Sequence, residues 1–444
     1  MAMNDRQMKL GLFLEPSGRH IAAWRHPDAH PAASVSLENF ANTARIAEAA
    51  LFDFVFIADN NAVWDDMEHF KRVERSAVLD PMMVLTGLAV LTSKIGLVAT
   101  VSTTYSQPYH LARAFASLDQ ISHGRAGWNL VTSMFNAESK NFSAGSHPVH
   151  ADRYKRAEEY ADVVMGLWNS YDDDTFLRDK DSGQYLDPTK VYPLNHRGEY
   201  FAVQGPLNVP RSPQGQPVIV QAGSSEPGKE LAARTAEIVF AAQQTIGEAR
   251  SFYTDLKQRL PKYGREPDDL KILPGVSPII GESEAEAQDK YADLQDLIHP
   301  AVGIFQLSTL IGGFDLSAYP LDGPLPDLPL TSGGQGRQQV LVDIARRDNL
   351  TIRQLYKRAI GARGHWQPIG TAKQIADLLE ERFLGGGADG FNVMPQSPPD
   401  LAEFSRLVVP ELQRRGLFRT AYEGSTLREN LGLKRGGRPA PRLN

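Results

Sequence analysis

The chain has 444 residues, 42% hydrophobic and 23% charged, with a formal net charge of -6 and no cysteine. That composition supplies a large core and excludes a disulfide framework, a thiolate nucleophile and any Cys-ligated metal or iron–sulfur site. The acidic balance argues against a nucleic-acid binder. No apolar run reaches the roughly 18 residues of a membrane span, and the first residues lack the pattern of a signal peptide, so a soluble cytoplasmic protein is expected.

Taken in order, the chain alternates strand and helix. Residues 9–13 form a short apolar strand, followed by the loop GRHIAAWRHPDAH. A helix at 37–51 places Phe40, Ala44, Ala47 and Leu51 on one face. The buried strand 53–58 ends in Asp59-Asn60-Asn61. A helix at 81–92 begins with proline. Strand 95–101 runs into Ser102-Thr103-Thr104, and helix 108–122 carries Leu111, Phe115, Leu118 and Ile121 on one side. Strand 126–131 ends near Asn129, Thr132 and Ser133. A polar loop leads to His150 and to a helix at about 151–168 with an apolar stripe.

Residues 170–215, rich in Asp, Pro, Gly and Tyr, read as an irregular excursion. The alternation resumes with strand 217–222, which ends in Gly223-Ser224-Ser225, then a helix, strand 238–241, helix 247–260 and strand 270–280. It breaks again at about 299–368, where TLIGGFDLSAYPLDGPLPDLPLTSGGQG is too rich in Pro and Gly for regular structure. Helix 371–384, strand 390–394 and helix 400–415 complete the pattern. Eight alternating units point to a (β/α)8 TIM barrel spanning residues 1–416 as a single domain. The two insertions, the second a possible lid, interrupt it, and residues 417–444 read as a C-terminal tail. No GxGxxG follows the first strand, which weighs against a dinucleotide-binding unit, and Walker A, GxSxG and HExxH sequences are missing.

In such a barrel the active site lies at the C-terminal ends of the strands. The residues there are Glu15, His20, Asp59, Thr100 to Thr104, Asn129, Thr132, Gly223-Ser224-Ser225, Asn392 and Met394. This ring of small hydroxyl and amide groups suits a large, flat ligand with polar edges. The turn Gly223-Ser224-Ser225, between a strand and a helix N-terminus, is an anion site or a plain N-cap. His150 and Tyr154, four apart, face one side of their helix; by themselves they are as ordinary as a surface His and a core Tyr. Asp59 contacts a ligand or caps its loop. Arg19, His20, Trp24, Arg25 and His26 form a basic lid for an acidic substrate or a solvated loop. Asp172-Asp173-Asp174 is a solvated charge run, and no metal site is expected.

The run IGLVATVSTTYSQPYHLARAFASLDQISHGRAGWNLVTSMFNAESKNF resembles the nitrilotriacetate monooxygenase group of the luciferase-like flavin monooxygenases. The likeness continues in HADRYKRAEEYADVVMGLW, PVIVQAGSSEPG, STLIGGFDLSAYPLDGPLP and PIGTAKQIADLLEERFLGGGADGFNVMP, and so covers nearly the whole chain. The resemblance implies a TIM barrel that takes reduced FMN from a separate NAD(P)H:flavin reductase. It also implies reaction with O2 to a flavin C4a-(hydro)peroxide that oxidises a small organic substrate. Carried onto matching positions, it implies isoalloxazine contacts at Asp59, Thr100, Thr103, Asn129 and Thr132. It implies ribityl and phosphate contacts at His150, Tyr154, Gly223, Ser224 and Ser225, and a substrate-side role for His20. Relatives of this kind are commonly homodimers or homotetramers. Two other readings use the same barrel: a non-oxygenating oxidoreductase using F420 or FMN, and a catalytically silent flavin-binding protein. The residues leave the substrate open between a polycarboxylate and an aromatic or sulfur heterocycle.

Overall fold

The computed structural model describes residues 6–63, 67–133, 136–142, 148–329, 335–361 and 365–436. Eight parallel strands close into one barrel in chain order. They are β1 (Lys9–Phe13), β2 (Phe54–Ile57), β3 (Gly96–Ser102), β4 (Ala126–Val131), β5 (Val218–Gln221), β6 (Ile238–Ala241), β7 (Lys271–Val276) and β8 (Gly390–Val393). Closure is made by β1, whose Gly11 lies opposite Phe54 of β2 on one side and Asn392 of β8 on the other. The chain is therefore a (β/α)8 barrel.

The longer helices outside the barrel are α1 (Leu37–Ala49), α2 (Pro81–Leu91), α3 (Pro108–Ile121), α4 (His150–Trp168), α5 (Glu226–Thr235), α6 (Ile246–Arg259), α7 (Glu284–Asp296), α8 (Pro300–Leu310), α9 (Gln335–Arg347), α10 (Ile352–Ile360) and α11 (Ala372–Leu384), and the consecutive helical segments Asp400–Glu403, Phe404–Val408 and Val409–Arg414 follow β8. Local chemistry starts many of them. Ser36 and Asp80 cap α1 and α2, and Thr245/Glu248 and Thr371/Gln374 form capping boxes at α6 and α11.

Strand alternation divides the apolar residues into two cores. Phe13, Phe56, Val98, Val220, Leu273 and Met394 share the barrel interior, while Leu12, Val55, Leu97, Trp128 and Ile219 belong to the outer layer under the helices. Buried carboxylates secure the N-terminal ends of the strands. Asp53 accepts from Leu10 N at 2.7 Å, Asp119 from Ala126 N at 2.8 Å and Asp389 from Ile272 N at 2.9 Å. Arg125 ties β4 to the end of α2, donating to the carbonyls of Ala89, Thr92, Ile95 and Ser122. These contacts account for much of the DQISHGRAGWN run as scaffold.

Three expectations change. The stretch after Gly416, read as a tail, is folded through residue 436: Leu427, Leu431 and Leu433 enter the inner core, and Arg419 pairs with Asp53 and Arg428 with Glu237. Its apolar residues are spaced too widely to give a periodic signal. The strand expected at 270–280 leaves the barrel after Val276. Pro278 lacks an N–H, and Ile279–Gly281 pairs instead with Ile369–Thr371 in a separate two-stranded sheet. The second insertion is helical. Its Pro and Gly concentrate in the connection between α8 and α9, while His299 caps α8 ahead of Pro300 and Thr351/Gln354 box the start of α10. The insertion has its own core of Val302, Leu307, Ile352, Leu355 and Tyr356, closed by Ile21 and Ala22 from the loop after β1 and Val73 from the loop after β2. His69 stacks on Phe305 at 4.2 Å and joins the same contact. The first insertion carries one hairpin, pairing His196–Arg197 and Ala202–Val203.

Candidate functional site

The C-terminal ends of β4 to β8 hold buried polar atoms without partners. Among the described residues, Asn129 Oδ1, Gln221 Oε1, Gln243 Oε1, Ser277 Oγ and Asn392 Oδ1 make no hydrogen bond, and all five side chains are buried. An orphaned buried acceptor costs about 1–3 kcal/mol. Five such atoms lie at the end of the barrel where ligands bind in this fold, and each could accept from a ligand's N–H or O–H group. Asn392 and Asn129 were legible in the sequence. Gln221, Gln243 and Ser277 were not, because the strand expected at 270–280 overran Ser277 and glutamine carries no motif.

Strand β3 sorts the expected threonines. Thr100 Oγ1 accepts from Asn129 Nδ2 at 2.8 Å, which fixes the amide with its oxygen left over. Thr103 donates to Val131 O at 3.2 Å, and Thr104 Oγ1 accepts from Ser133 N at 3.1 Å. Those two hydroxyls therefore join the ends of β3 and β4, as does the Ser102–Ser133 contact at 2.8 Å. Thr132 is half-buried beside them. Asp59, half-buried past β2, has its pKa raised to about 6, by burial first and then by the charges of Asp80 and Glu138.

On the β5 side two of the expected residues, Tyr154 and Ser225, lie together. Ser225 caps α5, its Oγ accepting from Gly228 N at 3.3 Å, and that Oγ lies 3.4 Å from Tyr154 Oη. The turn is tight: a Cβ on Gly223 would stand 2.9 Å from Gly228 Cα. Ser224 is exposed at the same turn. A tyrosine hydroxyl, serine hydroxyls and a helix N-terminus are groups that can hold an anion. His150 is the first residue of α4, but its side chain lies outside the described residues. Arg153, one residue before Tyr154 and not singled out in the sequence, donates to Ser133 O at 2.7 Å.

Across the mouth the floor is aromatic. Phe13, Phe56 and Phe240 form a triangle with centroids 5.2, 5.8 and 5.8 Å apart, and His365 stacks on Phe240 at 5.1 Å. Arg19 lies over Phe13 at 4.8 Å. His20 is buried beside it, its Nδ1 accepting from Ala22 N at 3.2 Å. Arg25 and Trp24, grouped with them in the sequence, are exposed, and Arg25 donates instead to Leu297 O. No cluster of three or more metal-ligating side chains occurs among the described residues. No described helix is long and apolar enough to cross a membrane.

Comparison with known proteins agrees with this architecture. Residues 19–389 match the luciferase-like monooxygenase family. The chain is 51% identical to nitrilotriacetate monooxygenase component A of Aminobacter aminovorans over 441 residues, covering 97% of each. It is 49% identical to N-acetyl-S-(2-succino)cysteine monooxygenase of Bacillus subtilis strain 168 over 438 residues, covering 98% of each. A riboflavin lyase solved with a modified FMN and riboflavin is 33% identical and superposes with a TM-score of 0.82 over 97% of both chains.

Proposed function

Because the chain belongs to the luciferase-like monooxygenase family and is a flavin-dependent monooxygenase, we propose that it is the oxygenating component of a two-component system. It takes reduced FMN from a separate NAD(P)H:flavin reductase and transfers one atom of O2 to a small organic substrate, the other leaving as water. The observation that carries this reading is the set of unpartnered acceptors at the ends of β4 to β8, together with the Tyr154–Ser225 cradle. A reduced flavin has donors on its ring system and ribityl chain and an anion at its far end, so the residues fit it. The relative solved with a modified FMN supports the same choice.

In this reading Asn129, oriented by Thr100, accepts from the ring edge, and Asp59 and Thr132 border it. Tyr154, Ser224, Ser225, the Gly223 turn and His150 hold the phosphate end. Thr103 serves by keeping β3 and β4 in register. Reduced flavin, when bound, supplies the two electrons and activates O2. The protein's part is to hold it still and keep water away. The Phe13, Phe56 and Phe240 triangle provides a dry floor for the substrate, and the helical insertion roofs the loops after β1 and β2. His20, buried at that edge, stands on the substrate side.

Anaerobic titration with chemically reduced FMN tests the reading. Saturable binding is expected, with turnover dependent on reductase, NAD(P)H and O2. Absence of binding, or turnover with reduced F420 in place of FMN, would refute it.

A further inference from the structure

We propose that the substrate of this enzyme carries a carboxylate and that Arg19 is the residue that selects it; this rests on the monooxygenase reading above. Arg19 stands at the edge of the aromatic floor, its guanidinium 4.8 Å from the centroid of Phe13. Its side chain is 12% exposed, and it pairs with Glu15 at 2.8 Å. Glu15 is also paired with Arg75, so two guanidinium groups share one carboxylate. The neighbouring Glu74 is engaged by Ser17 Oγ at 2.8 Å, and burial raises its pKa. Arg19 Nε is buried with no hydrogen-bond partner. Burial also lowers the Arg19 pKa to about 10, which leaves it cationic at neutral pH.

The loop that carries Arg19 is fixed. Arg19 N donates to Pro395 O at 2.7 Å and His20 N to Gln396 O at 3.2 Å. Gly18 has φ +121, and a Cβ there would stand 2.7 Å from Gln396 O, so the close approach to the β8 exit needs glycine. A pre-ordered guanidinium with an unused N–H, over an aromatic floor, is a carboxylate receptor of low ordering cost. The other cation of that loop, Arg25, is exposed and turned to Leu297, which leaves Arg19 as the group at the floor. Both curated relatives reported above are named for carboxylate-bearing compounds.

The test uses nitrilotriacetate, its trimethyl ester and N-acetyl-S-(2-succino)cysteine as probes, with the intact protein, a flavin reductase, NADH, FMN and O2, read by product mass spectrometry. At least one acid should be turned over. The neutral ester should be poorer than its parent acid, or equally inert if only the succinocysteine is accepted. Arg19→Leu should raise KM for the accepted acid about 30-fold with a much smaller change in kcat, as expected for loss of one charge-assisted contact. Arg19→Lys should recover part of that loss. Unchanged FMNH2 affinity in the variant, from the anaerobic titration, shows that the effect is on substrate. The proposal is overturned if neither acid is a substrate, if the ester outperforms the acid, or if Arg19→Leu leaves KM unchanged. Failure of the wild-type protein to bind FMNH2 would instead strike the underlying reading.

Discussion

Replacing Asn129 with leucine separates a ligand-binding amide from a structural one. Asn129 is buried, its Nδ2 is bonded to Thr100 at 2.8 Å and its Oδ1 has no partner. In the flavin-free protein the side chain therefore gains one hydrogen bond, worth about 1 kcal/mol, and bears a desolvated acceptor costing about 1–3 kcal/mol. A leucine of similar length removes both and adds apolar contact, so the flavin-free variant should be as stable as the parent or more stable by about 1–2 kcal/mol. Flavin binding should move the opposite way. The lost contact and the flavin donor left unpaired together cost about 1.5–3 kcal/mol, a 10- to 150-fold rise in Kd. Denaturant unfolding of the flavin-free protein gives the first quantity and anaerobic FMNH2 titration the second. A variant that is destabilised by more than about 2 kcal/mol while binding FMNH2 normally would mean that Asn129 is a strut, and the reasoning from orphaned acceptors would fail.

Three other predictions use different parts of the molecule. Asp59 has a folded-state pKa of about 6, above the ordinary value near 3.9. The folded state thus holds that proton more tightly, and the associated stability is complete below about pH 4 and lost as pH rises through about 6; Asp59→Asn should therefore match the parent in melting temperature at pH 4 and exceed it at pH 8. Arg125 donates to four backbone carbonyls, so Arg125→Met should cost about 3–5 kcal/mol in urea unfolding, and a loss under 1 kcal/mol would contradict the scaffold role. On α2, Met83 and Val90 are 69% and 73% exposed, at helical spacing from Gly87, where a Cβ would meet the 40% exposed Leu37 at 2.9 Å. A second copy is expected to cover this apolar face, so Met83→Glu with Val90→Glu should convert a homo-oligomer to monomer in light scattering; a wild-type monomer would refute the assignment.

The barrel was legible because buried parallel strands alternate with amphipathic helices, and this chain keeps that rhythm wherever it contributes to the barrel. It failed to show where elements depend on tertiary partners. The segment after Gly416 has no period because its leucines reach into the barrel from a turn-rich path. The insertion hid three helices because most of its Pro and Gly lie between them, with few inside. At the site, the sequence marked Asn129, Tyr154 and Ser225, and the geometry places Tyr154 and Ser225 together. It gave Thr100 and Thr103 equal standing, and only hydrogen-bond partners distinguish the hydroxyl that orients Asn129 from the one that joins two strands. Gln221, Gln243 and Ser277 carry no signal in sequence, since an orphaned acceptor is defined by what surrounds it.

Oxygen transfer by this chain with reduced FMN is open to a direct measurement. A single turnover under oxygen-18 gas, with chemically reduced FMN and no reductase, tests it most directly across a panel of carboxylate-bearing and neutral substrates. The expected product has gained one oxygen-18 atom in a reaction that depends on FMNH2. Reduced FMN consumed only to hydrogen peroxide, with no oxygen-18 in any organic product, would contradict it.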